Sequence, residues 1–318
     1  MKSVIHISEV TRRFGKTVAL DNVSLDVPQG CVFALLGENG AGKTTIIRNL
    51  LGLDKVNRGK VEVLGMNPQK SGVEVRRRVG YVPDSPALYD WMTVAETGWF
   101  TAGFYPDGFL HKYSELCGQF ELPMDQKIKA LSKGGRAKVV LALAMAHEPE
   151  LLIMDEPTSG LDTLVRRKFL ESMVDVAASD RTVLLSSHQI PEVERVADHV
   201  AIVNQGKILV NDRLDNLKQR IERWVVSFDS NDLSIPEFDG EIITHEGKKR
   251  KRQQFVIRDP GADALWKLRD HPGIADVEVH TPSLEEIFIA FISSEVSPKA
   301  PSQNQAEQLK ANQTKGGA

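Results

Sequence analysis

The sequence feature that most constrains the fold is a glycine-rich segment with the pattern G-x-x-x-x-G-K-S/T, which consists of Gly37, Glu38, Asn39, Gly40, Ala41, Gly42, Lys43 and Thr44. The apolar run 31–36 before it predicts a strand buried on both faces, and residues 45–51 after it carry apolar side chains at helical spacing. A strand, a loop and a helix in this order aim backbone N–H groups and the positive end of the helix at one point. We therefore predict a polyphosphate-binding loop in which Lys43 contacts phosphates and the Thr44 hydroxyl holds Mg²⁺. A turn that only connects two elements is the alternative interpretation.

Length and charge restrict the classes of protein to which the chain can belong. With 318 residues it is long enough for one large domain and one small domain. A formal net charge of -3 gives no basic excess, so we expect no nucleic-acid partner. No apolar run approaches the roughly 18 to 20 residues that span a bilayer, and the first residues lack the apolar core of a secretory signal. We therefore expect a cytoplasmic chain.

The order of predicted elements indicates an α/β architecture over residues 1–215. Strands predicted at 60–64, 79–82, 151–154 and 182–186 alternate with helices, which favours a mostly parallel sheet. Residues from about 85 to 135 change to helical periodicity and include a Thr93–Glu96 capping box, so we predict a helical subdomain there.

The order of predicted strands and helices changes beyond residue 212. Strands predicted at 224–228, 241–244, 253–257 and 275–279 flank one helix near 262–268, and a last helix begins at the Ser283–Glu286 capping box. We predict a small α+β domain at 220–295. Residues 296–318 are rich in Pro, Gln, Asn, Lys and Ala, and we expect a disordered tail.

Two carboxylates stand at the end of the predicted buried strand 151–154. In open α/β sheets, ligands bind at the edge formed by the carboxyl ends of the strands. Asp155 can bind Mg²⁺ through water, and Glu156 can accept a proton from a water that attacks the γ-phosphate. The alternative is that both acids only cap the following segment.

These motifs carry a family resemblance that covers about residues 1–212. The run MDEPTSGLD at 154–162 resembles the Walker B and D-loop segment of ATP-binding-cassette (ABC) ATPases, and residues 37–44 resemble their Walker A. The run LSKGG at 131–135 is similar to the family's LSGGQ signature. His188 matches the switch histidine, and Phe14 stands where an adenine-stacking aromatic is expected, although core packing is the alternative for that ring. The run PSLEEIF at 282–288 resembles the C-terminal extension of nucleotide-binding subunits in bacterial ABC exporters.

The resemblance implies an α/β fold, an activity and a set of site residues. The implied fold has a mostly parallel sheet, N-terminal antiparallel strands, a helical subdomain and the small C-terminal α+β domain. The implied cofactors are ATP and Mg²⁺, with each ATP held head to tail between two nucleotide-binding domains. Hydrolysis would then reopen the dimer. The implied catalytic residues are Glu156, His188 and Lys43, and the implied Mg²⁺ ligands are Thr44, Asp155 and Asp84. The implied ATP-binding residues are Phe14, Gly37, Glu38, Asn39, Gly40, Ala41, Gly42, Lys43, Thr44, Thr45, Asp84, Ser132, Gly134, Gly135 and Asp162.

The sequence departs from the family pattern at three positions. Lys133 stands where the signature has its first glycine, and Gly135 stands where it has glutamine. Asp84 occupies the place of the Q-loop glutamine. A lysine prevents the closest backbone approach but adds a positive charge near a phosphate, so either weaker binding or compensation is expected. A carboxylate at position 84 can still reach Mg²⁺ or water.

Three functions compete for this sequence. We expect an ATPase subunit of a membrane transporter, an exporter, peripheral on the inner face of the membrane. It would pair with integral membrane subunits near Asp84 and the helical subdomain, and with a second nucleotide-binding domain as a homodimer or heterodimer. The alternative is a soluble ABC ATPase that acts on another assembly. A P-loop kinase or GTPase would leave LSKGG and His188 without a role.

The basic run 248–252 is interpreted as a solvated hairpin tip, with contact to anionic lipid as the alternative.

Overall fold

In a computed structural model, the chain forms two compact units that meet in sequence at Asn216 and Leu217. The structure describes residues 3–159, 161, 163–178, 181–231, 234–248 and 250–296. The strands are β1 (Ser3–Phe14), β2 (Thr17–Pro28), β3 (Val32–Leu36), β4 (Arg58–Val63), β5 (Val79–Val82), β6 (Leu151–Asp155), β7 (Thr182–Ser187), β8 (His199–Asn204), β9 (Lys207–Arg213), β10 (Ile221–Phe228), β11 (Glu241–Glu246), β12 (Arg252–Arg258) and β13 (Ile274–His280). The helices are α1 (Lys43–Leu50), α2 (Gly72–Arg78), α3 (Val94–Ala102), α4 (Phe109–Gln119), α5 (Lys133–Met145), α6 (Thr163–Ala178), α7 (Ile190–Val193), α8 (Leu214–Arg220), α9 (Ala264–Arg269) and α10 (Leu284–Val296).

A six-stranded sheet forms the centre of the first unit, with the strand order β5-β6-β7-β3-β8-β9. The first five strands in this order run parallel, and β9 pairs antiparallel with β8. Every residue of β3, β6 and β7 is buried, which explains why the sequence shows the unbroken apolar runs VFALL, LLIM and VLL there instead of alternation. The prediction of a mostly parallel sheet is confirmed. The carboxyl ends of β3, β6 and β7 therefore lie side by side.

The N-terminal strands form a second, antiparallel sheet with the order β2-β1-β4. Ile5 of β1 lies opposite Val27 of β2 and Val63 of β4, and all three side chains are fully buried. These strands share one hydrophobic core with α1 and with the parallel sheet. That common core fixes the start of α1, and hence the glycine-rich loop, between the two sheets.

The helical subdomain begins at the predicted capping box. The Glu96 N–H donates to Thr93 Oγ1 at 3.1 Å, and the Thr93 N–H donates to Glu96 Oε2 at 2.7 Å. Helices α3, α4 and α5 enclose a separate core around the buried ring of Tyr113, whose hydroxyl donates to the Val94 carbonyl at 2.9 Å. A 3₁₀ turn at Ile128–Ala130 leads into α5.

Several elements were missing from the sequence prediction. Helix α2 has only seven residues and buries one of them, Val75, so it shows no clear periodicity. Strands β8 and β9 form a hairpin whose turn residues Gln205 and Gly206 both have positive φ. A glutamine in such a turn is an uncommon signal, which is why the sequence did not indicate the hairpin.

The second unit contains an antiparallel sheet with the order β11-β12-β10-β13. Trp224, Phe255 and Leu268 belong to a core on one face of the sheet, where α9 packs against β13. Arg223, the neighbour of Trp224, forms an ion pair with Glu286 of α10 at 2.9 Å. Because adjacent strand residues point to opposite faces, α10 covers the other face. The predicted α+β architecture is confirmed, while residues 297–318, where we predict a disordered tail, lie outside the described residues.

Substitution of Gly37 tests how closely the glycine-rich loop approaches the sheet. A Cβ atom at Gly37 would lie 2.5 Å from the Val203 carbonyl oxygen of β8, a distance that requires the backbone to move. We expect Gly37→Ala to lower the free energy of unfolding by about 1–3 kcal/mol, as overpacking typically does. Urea unfolding of the full chain measures this change.

The matched control is Gly118→Ala in α4, where an added Cβ meets no atom within 4 Å. We expect it to leave stability unchanged or to raise it by up to about 1 kcal/mol, because alanine favours a helix. Equal stabilities for the Gly37→Ala variant and the unmodified chain would contradict the close approach.

Candidate functional site

The glycine-rich loop joins β3 to α1 and is held by two backbone hydrogen bonds at Ala41. The Ala41 N–H donates to the Glu38 carbonyl at 3.1 Å, and the Gly206 N–H donates to the Ala41 carbonyl at 2.8 Å. Gly42 has a φ of 113°, and a Cβ there would lie 3.0 Å from the Ala19 carbonyl oxygen. Glycine is therefore required at Gly42 both by backbone conformation and by packing.

Lys43, the first residue of α1, places its ammonium group inside this loop. The side chain is buried, and Nζ donates to the Gly37 carbonyl at 2.7 Å and the Glu38 carbonyl at 3.2 Å. Nζ also lies 3.0 Å from Glu156 Oε1. A positive charge with little exposure to water is thus balanced by two carbonyl dipoles and one carboxylate.

Glu156 connects this lysine to His188. Its Oε2 atom lies 2.8 Å from His188 Nδ1, and its side chain is 13% exposed. The backbone of Glu156 has a φ of 48°, a left-handed conformation that is uncommon for a residue other than glycine. This conformation follows directly after β6, and strain of this kind is concentrated at functional sites.

Ser186 is a member of the site that sequence reasoning missed. It lies opposite Asp155 in the register of β6 and β7 and is fully buried. Its hydroxyl donates to Asp155 Oδ1 at 2.6 Å and accepts from the Glu156 N–H at 3.0 Å. One side chain therefore positions both carboxylate residues. The available signal was a pair of serines at the end of an otherwise apolar strand, next to His188.

Asp84 and Lys133, two of the departures from the family pattern, line the same cleft. Glu156 also lines this cleft, which has a volume of about 470 Å³. Burial raises the pKa of Tyr81, and the carboxylates of Asp155 and Asp84 act in the same direction while Arg48 opposes them. The negative charge of Asp84 and the positive charge of Lys133 therefore line one cleft together with Glu156.

Three signature residues that were predicted to bind ATP do not line the cleft of Glu156, although Lys133 of the same signature does. Ser132 caps α5, where its hydroxyl accepts from the Gly135 N–H at 3.1 Å. Ser132, Gly134 and Gly135 line a different cleft from the one that contains Glu156. Asp162 lies outside the described residues.

The remaining predicted contacts are found around the loop and at the end of β1. Thr44 is exposed beside Lys43, and Thr45 is half-buried. The Phe14 ring is 45% exposed, with the Arg12 guanidinium 4.2 Å from the ring centroid. An exposed ring at a strand end is available for stacking, and the alternative of core packing for Phe14 is wrong.

The donor chemistry of the site fits magnesium. Mg²⁺ takes oxygen ligands and is usually held by only one or two protein groups, with phosphates and water completing the shell. The Thr44 hydroxyl and the Asp155 carboxylate are such groups. Within the described ranges no three His, Cys, Asp or Glu side chains cluster as a metal site.

Removal of the Ser186 hydroxyl tests its bridging role. Ser186→Ala leaves a buried carboxylate oxygen of Asp155 and the Glu156 N–H without a shared partner. We expect a loss of about 1–3 kcal/mol in the free energy of unfolding, because unsatisfied buried polar groups cost that much. Thermal and urea unfolding measure it, with Ser24→Ala as the control at an exposed serine. Equal losses for both variants would contradict the bridge.

Comparisons with known proteins identify the family of this chain. The family model for ABC transporters matches residues 20–159. The chain is 30% identical to the bacitracin transport ATP-binding protein BcrA of Bacillus licheniformis, over 92% of this chain and 98% of that protein. It is 28% identical to the linearmycin resistance ATP-binding protein LnrL of Bacillus subtilis, over 90% of this chain and 97% of that protein.

Solved structures show the same fold. An ATP-binding subunit of an ABC transporter superposes with a TM-score of 0.63 and 29% identity, over 68% of this chain and 92% of that one. The dimeric ATP-binding cassette MJ0796, bound to ADP and Pi, superposes with a TM-score of 0.60 at 23% identity, over 66% of this chain and 98% of that one. No helix of the described residues is long and apolar enough to cross a bilayer. These relatives confirm the predicted transporter family and not an ABC ATPase that acts on another assembly. The chain belongs to the ATP-binding subunits of ABC transporters, which couple ATP hydrolysis to transport.

Proposed function

We propose that this chain hydrolyses ATP at the Lys43–Glu156–His188 cluster to drive export through a separate integral membrane subunit. The observation that carries the proposal is the contact of Glu156 with both partners, at 3.0 Å to Lys43 Nζ and 2.8 Å to His188 Nδ1. A single carboxylate thereby joins the phosphate loop to the end of β7. We assign the first unit as the nucleotide-binding domain and the second as an appended α+β module.

Glu156 is suited to accept a proton from the attacking water. A triphosphate on the loop would attract Lys43, whose ammonium now contacts Glu156, the Gly37 carbonyl and the Glu38 carbonyl. Once the Lys43 ammonium contacts the phosphates instead of Glu156, the Glu156 carboxylate would be free to bind and deprotonate water. His188 would keep the carboxylate in place and contact the γ-phosphate.

Mg²⁺ would neutralise charge on the β- and γ-phosphates and would be held by the Thr44 hydroxyl and, through water, by Asp155. Ser186 fixes the orientation of Asp155 through its 2.6 Å hydrogen bond. Asp84 lines the cleft beside Glu156 and is a further candidate oxygen ligand.

A second nucleotide-binding domain would complete the site. Ser132 and Gly134 line a different cleft from the one that Glu156 lines, which supports contact with a γ-phosphate held by another copy or a related subunit. The start of α5 offers backbone N–H groups and a positive dipole to such a phosphate. ATP would join the two domains, and loss of the γ-phosphate would let them separate.

Export is the direction of transport that the relatives support. BcrA and LnrL are named for bacitracin transport and linearmycin resistance, and this chain aligns with nearly their whole length. We place the chain on the inner face of the membrane, where ATP is available.

Replacement of the proposed proton acceptor tests the function. We expect Glu156→Gln to lower the rate of ATP hydrolysis by about 10²–10⁴-fold, the usual contribution of a general base, while ATP binding persists. Phosphate release and nucleotide binding, both measured with magnesium, separate these effects. The control Glu62→Gln changes an exposed strand residue and should keep the unmodified rate. Unchanged turnover in Glu156→Gln would refute the assignment.

The membrane subunit is proposed to bind an apolar groove between α5, β5 and the start of the helical subdomain. This groove, of about 380 Å³, is lined by Leu53, Tyr81, Leu88, Tyr105 and Leu143, among others. Burial lowers the pKa of His147, which lines the groove and stacks on Tyr105, and thereby favours its neutral form. A short cytoplasmic helix with an apolar face would fit such a surface.

A charge placed in the groove tests this docking surface. Leu53 lines the groove and is 48% exposed, so Leu53→Asp costs little packing. We expect it to abolish co-purification with the integral subunit while the purified chain still hydrolyses ATP. Leu110→Asp, at a 40% exposed leucine of α4 outside the groove, is the matched control and should keep the complex. Intact complexes with Leu53→Asp would exclude the groove.

A further inference from the structure

The β11–β12 hairpin carries a run of basic residues that the proposed function leaves without a role. The run is Lys248, Lys249, Arg250, Lys251 and Arg252. It begins two residues after the end of β11 at Glu246 and extends to the first residue of β12. The predicted hairpin tip is therefore confirmed, and Lys249 lies outside the described residues.

Hydrogen bonds join the described backbone of this tip to its neighbours. The Arg250 N–H donates to the Gly247 carbonyl at 2.9 Å, and the Phe228 N–H donates to the Lys251 carbonyl at 2.6 Å. The amide of Gln253, which is only 2% exposed, donates to the Arg250 carbonyl at 3.1 Å. The backbone that carries Arg250 and Lys251 is thus tied to the rest of the sheet, which reduces the entropy lost on binding.

The charges of the tip are largely unbalanced. Lys248, Arg250 and Lys251 are exposed, and within the part of the chain that the structure describes none has a carboxylate oxygen within 4 Å. Arg252 alone is paired, with Glu278 at 3.0 Å. The whole chain has a net charge of -3, so this tip is a local reversal of sign.

We propose that this hairpin tip binds the anionic lipid headgroups of the bilayer that holds the transporter. An ATP-binding subunit of an ABC transporter works beside a membrane, and no described helix of this chain crosses one. A small tip with several cations can contact a flat anionic surface without a pocket. We favour a bilayer over a nucleic acid because the chain belongs to the subunits of a membrane transporter, and duplex DNA serves as the competitor in the test.

Vesicle co-sedimentation of the purified full chain tests this proposal. The probes are vesicles of phosphatidylcholine alone and vesicles with one third phosphatidylglycerol. The test variant is Lys248→Glu/Arg250→Glu/Lys251→Glu. The matched control, Lys55→Glu/Lys60→Glu/Lys70→Glu, makes the same charge change at exposed lysines of the first unit. A conservative variant, Lys248→Arg/Arg250→Lys/Lys251→Arg, keeps the charge of the tip.

We expect the unmodified chain, the control and the conservative variant to bind the anionic vesicles and to be released by high salt. The tip variant should partition about a hundredfold more weakly, since each basic residue near an anionic surface contributes about fivefold. Circular dichroism and ATP turnover establish that the variants are folded, and the triple alanine variant at the tip replaces the glutamates if they disturb folding.

Three results would overturn the proposal: equal binding by the tip variant, equal binding to neutral vesicles, or no binding by the unmodified chain. Complete displacement from the vesicles by duplex DNA at physiological salt would also overturn it and would identify a nucleic-acid site. Each of these outcomes is independent of the hydrolysis assay at Glu156.

Discussion

The architecture of the site depends on three buried parallel strands that end at the same edge of one sheet. β3 leads into the phosphate loop, β6 ends in Asp155, and β7 supplies Ser186 just before His188. The strands are buried on both faces. A shift in the register of one strand would therefore displace its buried side chains and break its hydrogen bonds to the neighbouring strands at the same time. Residues far apart in sequence are thereby held within hydrogen-bonding distance.

This packing also makes the charged cluster possible. Lys43 and Asp155 are each more than nine-tenths buried, and a buried charge without a partner would be strongly unfavourable. Each has close partners: two carbonyls and Glu156 for the lysine, and the Ser186 hydroxyl for the aspartate. The low exposure strengthens every one of these contacts and also those that a nucleotide would make in their place. Stability and the proposed phosphate chemistry thus depend on the same set of atoms.

The sequence was sufficient to predict the parts of this arrangement that lie next to a motif. The glycine-rich loop between a strand and a helix, the Asp155–Glu156 pair after a buried strand and both capping boxes are local patterns, and the structure contains each of them at the predicted place. The bridge by Ser186 could not be derived from one sequence, because it depends on which strands are neighbours. For the same reason, the shared cleft of Asp84 and Lys133 became visible only in the folded chain. Helix α2 and the β8–β9 hairpin were missed because their local signals are weak.

The central claim is that Lys43, held by Glu156 and the loop carbonyls, is the phosphate-binding group of an ATP site. Calorimetric titration of the full chain with ATP and magnesium tests it most directly, when the unmodified chain is compared with Lys43→Ala. The account predicts measurable binding by the unmodified chain and at least about a tenfold loss of affinity in the variant, since a charge-assisted contact contributes about 1.5–3 kcal/mol. Equal affinities of a folded variant and the unmodified chain would contradict it.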